Sequence, residues 1–132
     1  TGFTQTFAQD NTFIGFDAGY SVTTGNDLTF IGKNAGFSTT SATDTTFIGT
    51  TCGFNNTTGF DNTFVGEESG LSNTTGRDNS FLGEDAGYNN TTGYENIAFS
   101  HADRSGGKIN GSQSGCAQPV YSDRSCFHRK TC

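Results

Sequence analysis

The sequence contains no tryptophan, no methionine and only one proline. It also has no apolar run near the roughly 20 residues that cross a membrane, so we expect no membrane span. Hydrophobic residues make up only 30% of the 132-residue chain, which leaves little material for a rounded core. Such compositions are common in disordered chains. The 13 phenylalanines recur at regular positions, however, and this predicts a narrow and regular core.

Basic side chains are scarce in the first three quarters of the chain. Residues 1–99 carry 11 acidic side chains against Lys33 and Arg77, a net charge of −9. Residues 100–132 carry five basic side chains against Asp103 and Asp123, a net charge of +3. Because phosphate contacts need lysine and arginine, we expect no nucleic-acid partner.

Recognisable catalytic motifs are also missing. The sequence has no G-x-S-x-G, no H-E-x-x-H and no P-loop, and both histidines lie after residue 99. The carboxylates repeat at fixed spacing, whereas catalysis needs one acid and one base in different environments. We therefore expect neither an enzyme nor a cofactor.

A five-residue segment is present five times at intervals of 17 residues, first as Asn11-Thr12-Phe13-Ile14-Gly15. Such periodicity is typical of proteins that stack one small unit. The shared form of the unit is N-T-F-I-G-x-x-A-G-Y/F-x-N-T-T-G-x-D. The complete units are 11–27, 28–44, 45–61, 62–78 and 79–95. We predict a repeat domain over residues 1–99 and an irregular, basic, cysteine-containing tail over residues 100–132.

The unit is too short for a helical hairpin, and its fixed glycines oppose helix formation. A short strand at Thr-Phe-Ile, and a second one around Gly-Tyr, joined by glycine-containing turns, would form one coil of a β-solenoid. We predict an all-β, single-chain β-solenoid (β-roll) of about six 17-residue rungs. Equivalent strands of successive rungs would lie about 4.8 Å apart.

Two apolar columns follow from the paired residues of each strand, because successive side chains on a strand face opposite ways. We predict that the phenylalanines form a core ladder, although an aromatic column that begins at Tyr20 is an alternative interior. The residues that follow the phenylalanines would then form an outward stripe for self-association. The ladder is Phe13, Phe30, Phe47, Phe64 and Phe81; the stripe is Ile14, Ile31, Ile48, Val65 and Leu82.

Two polar columns carry alternative interpretations. One acidic residue per rung, beginning at Asp10 and Asp27, could bind calcium, but turn formation is favoured because no calcium-binding pattern is present. Asn56, Asn73 and Asn90 begin glycosylation sequons, with further sequons at Asn55, Asn89 and Asn110. Asn-Thr-Thr-Gly is equally suited to turns. Glycans are therefore an alternative at these positions.

The four cysteines fall into two groups. Cys52 occupies a column of small residues and is predicted to be a buried side chain. Cys116, Cys126 and Cys132 crowd the tail, where disulfides would stabilise a segment that has few apolar residues. Zinc is the alternative, but the spacings fit no compact zinc knuckle. We favour disulfides and an extracellular location.

The motif Asn-Thr-Phe-Ile-Gly-x-x-Ala-Gly followed by Asn-Thr-Thr-Gly resembles the head repeats of trimeric autotransporter adhesins (YadA-like) and of related bacterial surface and phage tail-fibre proteins. The resemblance covers residues 1–99 and places the apolar strand of the family motif at Thr12 to Gly15. It implies a left-handed parallel β-roll that trimerises at a cell surface. The unit here is longer, phenylalanine replaces smaller apolar residues, and no coiled-coil stalk or membrane anchor follows.

We predict from these observations a structural, extracellular protein that associates with other copies of itself to form a fibre or shaft. The alternative is an adhesin head or tail-fibre module that binds a host glycan or protein. A minor alternative is ice binding through the threonine column that begins at Thr12. That column lacks a second threonine two residues along the strand, where Ile14 stands.

Overall fold

A computed structural model describes residues 6–99 and forms a parallel β-solenoid. Six strands form one sheet in the order β1-β2-β3-β4-β5-β6. Their bounds are Thr12–Ile14 (β1), Asn26–Ile31 (β2), Thr43–Ile48 (β3), Thr63–Val65 (β4), Ser80–Leu82 (β5) and Ile97–Phe99 (β6). The described part of the chain contains no helix, and therefore none that could span a bilayer. The predicted all-β solenoid is confirmed.

Each strand pairs with the equivalent residues one unit later. Phe13 lies opposite Phe30, and Phe47 lies opposite Phe64. The same shift continues to the last pair, where Phe81 lies opposite Ala98. The sequence repeat is therefore the hydrogen-bonding register of the sheet, and every column of the repeat becomes a line of side chains along the solenoid axis.

The second strand predicted around Gly-Tyr is wrong, because this part of every described coil is a series of turns. Its backbone nevertheless bonds to the next coil: Gly19 N donates to Ala35 O at 2.9 Å, and Ser21 N donates to Phe37 O at 3.1 Å. The segment cannot be a regular strand because Gly19 has a φ of 61° and Asp17 a φ of 53°, both left-handed. Inter-coil hydrogen bonds thus continue where strand geometry ends.

The interior contains the predicted phenylalanine ladder. Phe30, Phe47 and Phe64 are fully buried, Phe81 is nearly so, and Phe13 is half-buried at the first coil. Neighbouring rings stack with centroids 4.7 to 5.2 Å apart. The core therefore consists of this phenylalanine column and not of the column that begins at Tyr20.

A glycine closes the coil opposite each phenylalanine ring. Gly36 has a φ of 59°, and a Cβ added to it would overlap the ring of Phe30. Gly53 stands in the same relation to Phe47. The residue must therefore both adopt a left-handed conformation and leave room for the ring, and only glycine does both.

The acidic column predicted to form turns has a backbone role. Asp27, Asp44 and Asp61 have φ values of 51 to 56° and are exposed. Aspartate and asparagine tolerate this left-handed conformation better than most residues with a side chain. No group of three or more potential metal ligands occurs within residues 6–99. The structure thus gives this column a role that does not require calcium.

Candidate interaction surfaces

The outer side of the sheet, here called the sheet face, carries two columns of side chains. Ile14, Ile48 and Leu82 are exposed by 58%, 37% and 50%. Ile31 and Val65 are half-buried between their neighbours in the column. The predicted self-association stripe therefore lies outside the coil, as strand alternation requires when the phenylalanines lie inside.

A hydroxyl column lies beside this stripe on the same face. Thr12, Thr63 and Ser80 are exposed, and Thr29 and Thr46 are half-buried. The next coil continues both columns with apolar residues, because Ile97 is 41% and Phe99 is 66% exposed. The sheet face thus has one hydroxyl column and one apolar column, and not the two hydroxyl columns that the ice-binding alternative would favour.

A second surface, here called the aromatic face, lies on the opposite side of the core. Each phenylalanine of the ladder reaches across the interior to the glycine of its own coil, and the aromatic column follows that glycine directly. Tyr20, Phe37 and Phe54 stack with centroids 5.0 and 5.1 Å apart and interplanar angles of 4°. Leu71 and Tyr88 continue the column, half-buried.

Charged side chains of residues 6–99 occur on neither face. Each lies either in the two positions that immediately precede the first residue of the repeat segment or in the two that follow its glycine. These positions form the two edges of the solenoid. The charged residues are Asp10, Asp17, Asp27, Lys33, Asp44, Asp61, Glu67, Glu68, Arg77, Asp78, Glu84, Asp85 and Glu95.

One edge carries an irregular group that sequence reasoning missed. Arg77 lies between two aromatic rings one coil away on either side, 5.9 Å from the ring centroid of Phe60 and 4.7 Å from that of Tyr94. Its Nε is also 3.6 Å from a carboxylate oxygen of Asp78. The sequence does contain a signal for this group, because Arg77 has an aromatic residue 17 positions before it and another 17 positions after it.

The asparagines that begin three predicted sequons lie inside the coil. Asn56 and Asn73 are fully buried, and Asn90 is 6% exposed. The amide nitrogen of Asn73 donates to Asn56 Oδ1 at 2.8 Å, and that of Asn90 donates to Asn73 Oδ1 at 2.7 Å. A glycan on these nitrogens is incompatible with the folded coil, because it would displace this buried ladder. The geometry contradicts glycosylation at these three positions.

Two other sequons have outward asparagines. Asn55 is half-buried and Asn89 is exposed, and both stand beside the aromatic column. Asn110 lies outside the described residues.

A second buried amide ladder, which the sequence did not predict, runs through Asn62, Asn79 and Asn96. The amide nitrogen of Asn79 donates to Asn62 Oδ1 at 3.1 Å, and that of Asn96 donates to Asn79 Oδ1 at 2.9 Å.

Cys52 is a buried side chain, as its column of small residues predicts. Burial raises the pKa of its thiol to about 12, because the thiolate would lose its hydration, and a backbone hydrogen bond from Ile48 only partly offsets this. The thiol donates to Phe64 O at 3.3 Å. Cys116, Cys126 and Cys132 lie outside the described residues, so their predicted disulfides stay a prediction.

The surfaces therefore consist of two uncharged faces joined by two charged edges. No protein-family model matches the chain, and no curated protein and no solved structure matches it significantly.

Proposed function

We propose that this protein is a structural repeat protein whose copies associate through the sheet face to build a fibre or shaft. The observation that carries the proposal is the exposed apolar column of Ile14, Ile48 and Leu82 on a face without any charge. Proteins that remain monomeric usually interrupt such a face with lysine or glutamate. Here charge is confined to the edges, where it does not oppose face-to-face contact directly.

The proposal includes a location outside the cell. Its support is the group of three cysteines in the tail and the resemblance of the repeat to adhesin heads. The stacked coils provide rigidity, because each strand is hydrogen-bonded to its neighbours along the axis. A rigid rod with one apolar side is suited to a mechanical role.

The first experiment is negative-stain electron microscopy of the purified full chain, together with sedimentation velocity. We expect elongated assemblies of constant width. The variant Ile48→Glu with Leu82→Glu introduces charge on the sheet face at positions two coils apart, and we expect it to reduce the assemblies to much smaller species. Circular dichroism should still show β-structure, because both side chains are exposed.

The matched control is Lys33→Glu, which lowers the net charge by the same two units on an edge where Glu67 and Glu84 already occur at equivalent positions. We expect it to assemble like the original chain. A discrete monomer at all concentrations for the unmodified protein would contradict the proposal. So would unchanged assembly of the double variant.

A second candidate is the adhesin module, and the edge group of Phe60, Arg77 and Tyr94 favours it. This group combines aromatic surface with a guanidinium and breaks the regularity of the coil, as a recognition site for a glycan or protein would. Glycan-array binding tests it. Binding that is lost in Arg77→Ala and kept in Lys33→Glu would support this candidate, and absence of binding would leave the fibre.

A further inference from the structure

We infer that the aromatic face is a second self-association surface and that its occupant is another copy of this chain. The inference rests on the proposed function, since it adds a second interface to the contact proposed for the sheet face. The aromatic face is the column Tyr20, Phe37, Phe54, Leu71 and Tyr88, with the small polar residues that follow each of them.

The orientation of the rings determines what this surface can bind. Tyr20, Phe37 and Phe54 lie nearly parallel and cover one another's faces, so their edges point outward. A sugar ring packs on the face of an aromatic side chain, and here those faces are occupied by neighbouring rings. The surface is therefore poorly suited to carbohydrate, and a periodic apolar partner fits it better.

Charge excludes other classes of partner. The positions beside the rings are Ser21, Ser38, Asn55, Ser72 and Asn89, none of which is ionised. Nucleic acids and acidic lipid surfaces require basic groups, and basic partners require acidic ones. A face without either sign selects a partner whose own contact surface is uncharged. Both broad faces of this chain meet that condition.

Periodicity points to the same partner. The rings of Tyr20, Phe37 and Phe54 repeat at 5.0 to 5.1 Å over three successive coils, and the sheet repeats at nearly the same interval. A partner that interdigitates along the whole ladder must have the same repeat. A second copy of the chain has this repeat on each of its faces, so contacts made at one coil can recur at every coil.

The available area requires more than one face. The six strands span about 24 Å along the axis, and a three-residue strand, the commonest length here, spans about 10 Å, so the sheet face offers about 240 Å². Stable interfaces bury about 800 Å² on each partner. One face therefore supports only a weak pair, and contact on both faces doubles the area that each copy buries. Because the faces lie on opposite sides, such contacts continue from copy to copy and give a laminated assembly.

Three variants of the full chain test the inference. Ser38→Glu with Ser72→Glu places two charges beside the aromatic column without altering its rings or glycines. Ile48→Glu with Leu82→Glu blocks the sheet face. The third variant combines all four substitutions, and Lys33→Glu remains the charge control. Ser21→Glu with Asn55→Glu is a second pair in the same column, to be used if the first pair loses its β-type circular dichroism.

Sedimentation velocity over a hundredfold range of concentration distinguishes the outcomes. We expect large assemblies for the original chain and the control, weak dimers for each single-face variant, and monomers for the combined variant. Assembly of the aromatic-face variant at the original size would overturn the inference and leave the proposed function standing. If the sheet-face variant assembles to the original size, the sheet-face interface of the proposed function is wrong. If the aromatic-face variant then forms only small species, the aromatic face is still an interface.

Discussion

At the scale of single residues, the buried asparagines explain how so polar a chain maintains an interior. An amide carries one acceptor and two donor hydrogens, so identical asparagines one coil apart satisfy each other. Asn79 Nδ2 bonds both Asn62 Oδ1 at 3.1 Å and Gly93 O at 2.8 Å. In the earlier coils the corresponding positions are Val22 and Thr39 in one column, and Asn11, Leu28 and Thr45 in the other. Continuous amide ladders are therefore a feature of the later coils, where asparagine occupies both columns in every coil.

Removing one amide from the middle of a ladder should be costly. Asn73→Ala deprives Asn56 Oδ1 of its donor and leaves Asn90 Nδ2 with only the longer bond to Gly93 O, at 3.3 Å. A buried polar atom without a partner costs about 1 to 3 kcal/mol. We expect a loss of roughly 2 to 4 kcal/mol in the free energy of unfolding, measured by urea denaturation.

Asn55→Ala is the matched control, because Asn55, which precedes the buried Asn56, is half-buried and points outward. We expect a change within about 0.5 kcal/mol, as for most surface substitutions. Equal losses for the two variants would show that the buried amide bonds contribute nothing beyond the side chain itself. A smaller loss for Asn73→Ala than for Asn55→Ala would show that the column is not buried in solution.

The buried thiol predicts a specific pH dependence. Burial raises the pKa of Cys52 from 9.0 to about 12, so above pH 9 the unfolded chain loses this proton while the folded chain keeps it. This thiol does not affect the free energy of unfolding below pH 9. Between pH 9 and about pH 12 it lowers that free energy by about 1.4 kcal/mol per pH unit. Cys52→Ala, which matches Ala35 and Ala86 in the column, should lack this loss. If the melting temperatures of the unmodified chain and of Cys52→Ala fall in parallel above pH 9, this prediction is wrong.

At the scale of the elements, strand alternation predicted that the two apolar columns of the strand lie on opposite sides, but it did not exclude the column of Tyr20 from the interior. Phe30 and Ile31 are adjacent, and the structure places one inside and the other outside. The Gly-Tyr segment was predicted wrongly because an aromatic residue next to a glycine resembles a strand, while the left-handed residue at Asp17 is not visible in composition. The amide ladders were missed because Asn-Thr-Thr-Gly has the composition of a surface turn. Their bonds depend on the equivalent asparagine of the next coil.

One complete coil should be removable without loss of the fold. Deletion of residues 62–78 joins Asp61 to Asn79, so every later side chain keeps its column. Repeat proteins are stabilised by contacts between neighbouring units, and the new neighbours are of the same types as the old. We expect retained β-type circular dichroism with a moderately lower melting temperature.

Deletion of residues 62–70 is the matched control. It removes strand β4 but leaves the turn-rich remainder of the same coil without a strand partner. We expect this smaller deletion to lower the melting temperature more than deletion of the whole unit does. Equal effects would mean that the coil is not the unit of stability.

At the scale of the whole molecule, the separation of charge from the faces governs assembly. The edges of residues 6–99 contain 11 acidic side chains, of which only Asp85 is buried, against Lys33 and Arg77, so neighbouring copies in a lateral assembly bring like charges together. This repulsion acts over about 30 Å at 0.01 M ionic strength and about 8 Å at 0.15 M. The faces gain their contact energy from apolar burial, which salt does not screen.

Added salt should therefore strengthen assembly. We expect light scattering by the full chain to increase between 10 mM and 150 mM sodium chloride, with the four-substitution monomer as the baseline that does not change. The opposite response would indicate an ionic contact, and the sequence offers one in the basic tail and the acidic repeats. Head-to-tail association of that kind weakens as salt rises. The sign of the salt dependence thus decides between lateral contact through uncharged faces and end-to-end contact through opposite charges.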